Sequence, residues 1–387
     1  MFRKVAMEAA LDNNAIAHEQ YSRPSRTCID HAMNRRLIID HHQSKRICLA
    51  LAMSDLKGCY DRIIHNAVSK AKIHSMFDTI QRMVHRIRTG FGDSTETYGG
   101  DDIMDWQFTP QGVLQGNASG PTIWSILSSV IFEILHDKGF GVEFCSTISK
   151  QLFLLVGFSY VDDCDLIQSG EDPLTVARSM QRVIQQWGDL MEVAGGALAS
   201  SDTTYWYLVE FVWKRGKWVA ADAPLEFDLI EKTEDNNFVS LNRLSCSTAS
   251  EMLGIWMAPN GCKTKMIQEM RTSAVEWWAK IRKGRPSQEE AWQALHYTIA
   301  AKLKYPLAAC IFTERECTSI MAPAIRAALP KSGISRTMTT SVRDAPISSG
   351  GLGVPNLHKL MGTLRTALLV NQCLQKKNDP PFATYVH

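Results

Sequence analysis

Net charge is almost absent from this chain: 42 Lys and Arg stand against 40 Asp and Glu over 387 residues, leaving +2. Whole-chain electrostatics therefore names no partner, and a polyanion would have to be held by locally concentrated basic charge. Closely spaced cysteine pairs are missing too. The ten cysteines contain no C-x-x-C, which argues against a zinc site or a thioredoxin-like redox pair. No apolar run approaches the ~18–20 residues of a membrane span. The start, MFRKVAMEAALDNNA, has acids and polar residues where a secretory leader needs an apolar stretch. Internal repeats and low-complexity tracts are also lacking. These absences lead us to expect an intracellular protein, nuclear or cytoplasmic, with reduced thiols and no membrane partner.

What is present is ordinary for a globular chain. Hydrophobic residues make up 45% and charged residues 21%, which excludes a disordered or collagen-like polymer. The length suits roughly two to three domains. Residues 1–52 read as helical, with a local excess of four positive charges between Arg23 and Arg46. Within them, Ile47 to Met53 is a short continuous apolar run, the pattern of a fully buried strand. A helix is expected from about Ile63 to Thr89, then a loop from Gly90 to Trp106 and an apolar helix over Thr122 to His136.

Gln151 to Tyr160 and Cys164 to Gln168, joined through Val161-Asp162-Asp163, read as a β-hairpin with an acidic turn. Pro173 to Val193 predicts an amphipathic helix closed by Gly195-Gly196. Tyr205 to Trp213 and Lys217 to Ala220 predict a strand pair. The last third changes character: Lys263 to Arg285 has a local excess of five positive charges, Ser287 and Glu290 form a capping box for a helix carrying Trp292 to Leu303, and Pro306 kinks or ends that helix.

Two acidic sites stand out by position. Asp55 follows the buried strand, and Asp162-Asp163 forms the tip of the apolar hairpin. Carboxylates beside strongly apolar strands are costly to bury unless paired or metal-bound. If the two strands are neighbours, three carboxylates meet at one sheet end, an arrangement that divalent cations can bridge for phosphoryl transfer. Taken alone, an Asp-Asp pair is more often a solvated turn. Between these sites lies PQGVLQGNASGP (Pro110 to Pro121), where glycines let a backbone approach a ligand and a Gln could hydrogen-bond a base or sugar. By itself that stretch also fits a simple turn before a helix.

The order of these pieces resembles the reverse transcriptases of non-LTR retrotransposons. The matching segments are DLKGCYD (Asp55 to Asp61), PQGVLQGNASGP and YVDD (Tyr160 to Asp163). GGAL (Gly195 to Leu198), MLGIWM (Met252 to Met257), GGLGVPNL (Gly350 to Leu357) and the fingers-like HEQYSRPSRTCID (His18 to Asp30) match more weakly. The resemblance implies an α+β fold: a right-hand polymerase with a ferredoxin-like palm, partial fingers and a helical thumb. It divides the chain into partial fingers over 1–54, palm with part of the fingers over 55–260, and thumb with the C-terminal region over 261–387.

The activity implied is RNA-directed DNA synthesis, adding deoxynucleotides to a primer 3′-hydroxyl. Asp55, Asp162 and Asp163 would be the catalytic metal ligands for two Mg²⁺ ions, with Mn²⁺ as a substitute. Tyr60 would be the steric gate against a 2′-hydroxyl, and Gln115 and Gly116 would line the nucleotide and template side. Leu253 and Gly254 would sit in the primer grip. The partners implied are an RNA template, a DNA primer and deoxynucleoside triphosphates; the oligomeric state is left open.

Departures from the family pattern point to a truncated or partly degenerate copy. Asp202 falls about where relatives present a Lys beside the departing pyrophosphate, and Gly120 replaces a Ser before Pro121. The segment His65 to Phe77 is shorter than in relatives, and fingers strands have no counterpart before His18. A nucleic-acid-binding relic without turnover and an RNA-directed RNA polymerase are the alternative readings.

Overall fold

The computed structural model describes residues 2–24, 26–56, 87–91, 94–98, 120–145, 150, 152–196, 204–232 and 237–374. The chain forms two compact units. The first comprises Met1–His31, His42–Cys145 and Ser149–Ser245; the second comprises Ala32–His41, Ser146–Ile148 and Cys246–His387.

Helix α1 (Phe2–Asp12), in the first unit, is followed by an extended segment and by α2 (Cys28–Lys45), whose residues Ala32–His41 belong to the second unit. The expectation of helix throughout 1–52 is corrected here. Asn14 adopts a left-handed backbone (φ 52°) that ends the first helix, and Pro24 lacks the N–H a helix needs. The second helix restarts at Thr27, whose hydroxyl accepts from Asp30 N–H while Asp30 accepts from Thr27 N–H. Strand β1 (Cys48–Ser54) is buried at all seven positions, as its unbroken apolar run predicts.

Strands β2 (Ile87–Phe91) and β3 (Ser94–Tyr98) pair antiparallel, where the sequence suggested helix and loop. The Thr and Tyr content of β3 suits a strand once a partner is present. Helix α3 (Gly120–Asp137) follows, then β4 (Val142–Cys145), β5 (Leu152–Leu155), β6 (Gly157–Tyr160) and β7 (Asp163–Gly170). The run expected as one strand over 151–160 is divided: β5 pairs with β4, whereas β6 joins the main sheet beside β7.

Helix α4 (Pro173–Val193) has the bounds its sequence predicts. Asp172 caps it by accepting from Thr175 N–H at 2.8 Å, and proline sits in its first turn. Gly195, at φ 85°, lets Gly196 N–H return to Met191 O. Strands β8 (Tyr205–Lys214), β9 (Lys217–Asp222), β10 (Ile230–Lys232), β11 (Phe238–Ser240) and β12 (Asn242–Arg243) complete the unit.

The main sheet runs in the order β12-β8-β1-β7-β6, with β9 paired to β8. All its pairings except β12 with β8 are antiparallel. Period-two alternation explains how it is covered. Ala50, Ala52, Leu166, Trp206 and Leu208 share one face and one core with Trp124 and Phe132 of α3 and Met180 and Trp187 of α4. The unit is therefore a mainly antiparallel sheet with two helices on one face.

One buried acid lies off this sheet. Glu231, on β10, is 7% exposed, and burial pushes its carboxyl up to about 7. Between the ordinary carboxylate range and pH 7, the folded chain keeps a proton that the unfolded chain releases. This contribution to stability is complete at acid pH and lost as pH rises through about 7, with a ceiling of about 3 kcal/mol. Glu231→Gln, neutral at every pH, is expected to remove that loss. Melting curves at pH 5 and pH 8 should show a pH-dependent gap between the two proteins, and parallel behaviour would refute it.

In the second unit, β13 (Ser250–Met252) and β14 (Ile255–Met257) form a hairpin. Helices α5 (Thr264–Lys283), α6 (Gln288–Ala294), α7 (Ala300–Lys304), α8 (Glu314–Lys331), α9 (Thr340–Arg343) and α10 (Leu357–Leu374) follow. The Ser287–Glu290 capping box opens α6, and a matching box of Thr313 and Glu316 opens α8. Pro306 lies in a 3₁₀ turn after α7, where the helix stops as expected. Met266, Met270, Leu295, Leu303, Phe312 and Ile320 lie in its core. Among the described residues, no helix is long and apolar enough to cross a membrane.

Candidate active site

Strand register decides what meets at the sheet end. Strand β1 pairs with β7 so that Cys48 faces Gly170 and Ser54 faces Cys164. One step further along, Asp55 comes level with Asp163. Strand β6 pairs with β7 through Tyr160 and Asp163, leaving Val161 and Asp162 as a two-residue turn. The sheet thus brings Asp55, Asp162 and Asp163 to one end.

The electrostatics follow from that placement. Although Asp162 stands at an exposed turn, neighbouring groups desolvate its carboxyl and raise its pKa. Backbone hydrogen bonds oppose the rise, and the negative charge of Asp55 adds to it. Just beneath, the buried Cys164 thiol is pushed well up by burial, then by Asp165, Asp163 and Glu19.

Several contacts that sequence reading did not anticipate hold this turn in place. Val161 has φ 61°, a left-handed conformation that is costly for a β-branched residue. Its carbonyl accepts from the indole N–H of Trp124 and, at 3.3 Å, from the Ser159 hydroxyl. Trp124, 1% exposed, is therefore a positioning group on α3. Gly157 begins the edge strand where an added Cβ would lie 2.2 Å from Asp165 O, so only glycine lets β6 pack this closely on β7.

The segment expected as fingers supplies a further support. Ser159 N–H donates to Glu19 O at 2.7 Å and Tyr21 N–H donates to Ser159 O at 2.8 Å, a parallel bridge along β6. Gln20, fully buried, donates to Ser128 Oγ at 2.7 Å and accepts from the Ser22 hydroxyl. Glu19 Oε1 lies 2.6 Å from His136 Nε2, and that hydrogen bond raises the His136 pKa against the opposing effect of burial. On the other face of the sheet, His31 Nε2 lies 3.1 Å from Asp165 Oδ2, with its ring edge-on to Phe158. No local signal marked these contacts.

Other expected site residues fall elsewhere. Tyr60, Gln115 and Gly116 lie outside the described residues, as do Asp202 and the segment His65 to Phe77. Gly120, placed where the family pattern has Ser, is the first residue of α3 and is buried. Leu253 and Gly254 form the turn of the β13–β14 hairpin with φ values of 49° and 79°. Tyr305 Oη–H donates to Leu253 O at 2.7 Å, and Arg35 Nη1 donates to Ser250 Oγ at 3.1 Å.

Among the described residues, no group of three or more His, Cys, Asp or Glu side chains is preassembled to hold a metal. Mg²⁺ commonly takes one or two carboxylates, several waters and substrate phosphates rather than a closed protein cage. The donor set at the sheet end, hard carboxylate oxygens only, is of the kind that hard divalent cations take.

No protein-family model and no curated protein sequence matches the chain. Among solved structures, telomerase from Candida albicans in complex with a TWJ fragment of telomeric RNA aligns at 11% identity and a TM-score of 0.32. That alignment covers 100% of this chain and 57% of the telomerase chain. Apo telomerase from Candida tropicalis aligns at 11% identity and a TM-score of 0.34, over 99% of this chain and 59% of its own. The chain thus spans less than two thirds of the length of either. Likeness at this level leaves the functional reading to the chain's own residues.

Proposed function

We propose that this chain is a template-directed nucleic-acid polymerase of the reverse-transcriptase kind, related to those of non-LTR retrotransposons. The observation that carries the reading is the convergence of Asp55 with the Asp162–Asp163 turn at one end of an antiparallel sheet. The ordered motifs DLKGCYD, PQGVLQGNASGP and YVDD support it. In this reading residues 1–54 are partial fingers, 55–260 the palm and 261–387 the thumb and C-terminal region.

The reaction joins a primer 3′-oxygen to the α-phosphorus of a deoxynucleoside triphosphate; the bond to pyrophosphate breaks and the hydroxyl proton leaves. Two Mg²⁺ ions, or Mn²⁺ in their place, would ease loss of that proton and offset charge on the departing pyrophosphate. Asp55, Asp162 and Asp163 would hold them. By the resemblance, Tyr60 would exclude a 2′-hydroxyl, Gln115 and Gly116 would line the nucleotide and template side, and Leu253 and Gly254 would support the primer. Trp124 and the Glu19–Ser22 segment keep the acidic turn at its strained position, so orientation is set before substrate arrives.

Asp202 favours a second reading, a nucleic-acid-binding protein without turnover, because a carboxylate near a forming pyrophosphate repels it. Primer extension on an RNA template separates the two. We expect deoxynucleotide incorporation that needs Mg²⁺, stops with EDTA and is abolished in the Asp162→Ala, Asp163→Ala double variant. RNA binding that weakens with salt, without incorporation, would establish the second reading. A preference for ribonucleotides would make the chain an RNA-directed RNA polymerase instead.

A further inference from the structure

The second unit holds a cavity of about 920 Å³ between α5 and α8 that the polymerase reading leaves without a role. The two helices run side by side. Lys263, just before α5, pairs at 2.8 Å with Glu316 in the first turn of α8, and Arg282 and Lys331 line the cavity at their far ends. Val275, Trp278 and Arg282 follow one another on α5 at spacings of three and four. Pro323, Ala327 and Pro330 follow on α8 at spacings of four and three, so each set shares one helix face.

Charge and surface chemistry together decide what fits. Arg282, Arg326, Lys331 and Arg336 line the groove and no carboxylate does. Among the described residues, none of the four forms an ion pair. Arg282 and Lys331 stand in the last turns of their helices, where the macrodipole favours a cation anyway. That account leaves out Arg326, in the body of α8, and Arg336, beyond its end. Between the cations the lining is aliphatic: Val275, which is 47% exposed, Ala327 and the two prolines. The Arg282 guanidinium covers one face of the Trp278 indole, 5.1 Å from its centroid, so the ring serves as an apolar wall and not as a platform for a base. A phosphate backbone would use the cations and leave the aliphatic floor unmatched. A segment with both carboxylates and apolar side chains uses both.

Dimensions narrow the occupant further. Val275 to Arg282 rise roughly 10 Å along α5 and Pro323 to Lys331 roughly 12 Å along α8, about two helical turns each. A groove between packed helices takes the apolar ridge of a third, and helices held this way are read through anchors at i, i+3 or i+4 and i+7. We infer that the α5–α8 groove docks an acidic amphipathic helix of a partner protein. Its apolar anchors rest on Val275, Ala327 and the prolines, and its flanking carboxylates meet Arg326, Lys331 and Arg336. This surface shares no residue with the carboxylate site and does not depend on the polymerase reading.

Selection of a phage-displayed library on the full chain tests the inference, using helix-forming peptides of about fifteen residues, long enough for a helix to hold in water. Enriched sequences are expected to place aspartate or glutamate around apolar residues at those spacings. Fluorescence anisotropy with one labelled, enriched peptide should show affinity falling by about tenfold or more in the Arg326→Glu, Lys331→Glu variant. A copy of that peptide with lysine in place of each acid should bind this variant better than it binds the natural chain. Val275→Asp, at an exposed position, should weaken the original peptide by about tenfold, because a charge then faces an apolar anchor. Circular dichroism confirms that each variant is folded. Failure to enrich such sequences, or equal binding by the folded charge-reversed variant, would overturn the proposal. Displacement of the peptide by oligothymidylate at lower concentration than by unlabelled peptide would do so as well, because the groove would then be a phosphate track.

Discussion

Asp55→Asn is expected to lower single-nucleotide incorporation by about 10³-fold or more while the protein keeps its melting temperature. The side chain is half-buried beyond the last residue of β1, and its amide analogue has nearly the same volume, so packing changes little. What disappears is one negative charge at the sheet end and a hard oxygen ligand. Transition-state charge stabilisation by a bound metal is worth several kcal/mol, and about 4 kcal/mol corresponds to the stated factor. The substitution should also relieve Asp162, whose raised pKa owes part of its rise to the Asp55 charge. Rapid-quench incorporation at increasing Mg²⁺ measures the effect. Near-normal rates at all metal concentrations would remove Asp55 from the metal site.

His31→Leu should cost about 3 kcal/mol of folding stability. The imidazole and the Asp165 carboxylate are 0% and 2% exposed and 3.1 Å apart, linking α2 to β7. Leucine matches the volume but withdraws a hydrogen bond from a carboxylate that water does not reach, and such losses dominate the tail of mutational effects. His31→Gln, which retains a donor, should recover part of the loss. Urea denaturation reads the difference as a lower midpoint at unchanged slope. A change below about 0.5 kcal/mol, the ordinary range of surface substitutions, would show that the pair contributes nothing to stability. Asp165 lies two residues beyond Asp163, so a weakened His31 contact should reach the acidic turn as reduced incorporation.

Some elements were legible from local sequence alone. Pro173–Val193 needed only its cap Asp172, its first-turn proline, a buried stripe including Met180 and Trp187, and Gly195 to end it. Strand β1 was plain from seven consecutive buried-type residues, and the Ser287–Glu290 box from its spacing. The three aspartates could be singled out because acids beside apolar strands are rare enough to require a reason. The sequence offered no comparable signal for the support around them. Gln20 with Ser128, Glu19 with His136 and His31 with Asp165 are separated by 108, 117 and 134 residues respectively.

Capping, helix periodicity and strand alternation act between residues a few positions apart, so the sequence by itself determined α4, β1, the capped start of α6 and the acidic character of the β6–β7 turn. Pairing is different. Strand β5 leaves the expected hairpin for β4, and β6 turns inward at Gly157, because each strand satisfies its backbone with partners that no local pattern names. Only the tertiary structure decided that Ser54 faces Cys164, bringing Asp55 level with Asp163. It also decided that Trp124 holds Val161 in a left-handed turn. The near-zero net charge resolves in the same way: folding lines the α5–α8 groove with four cations and gathers three acids at the sheet end, a separation that composition averages away.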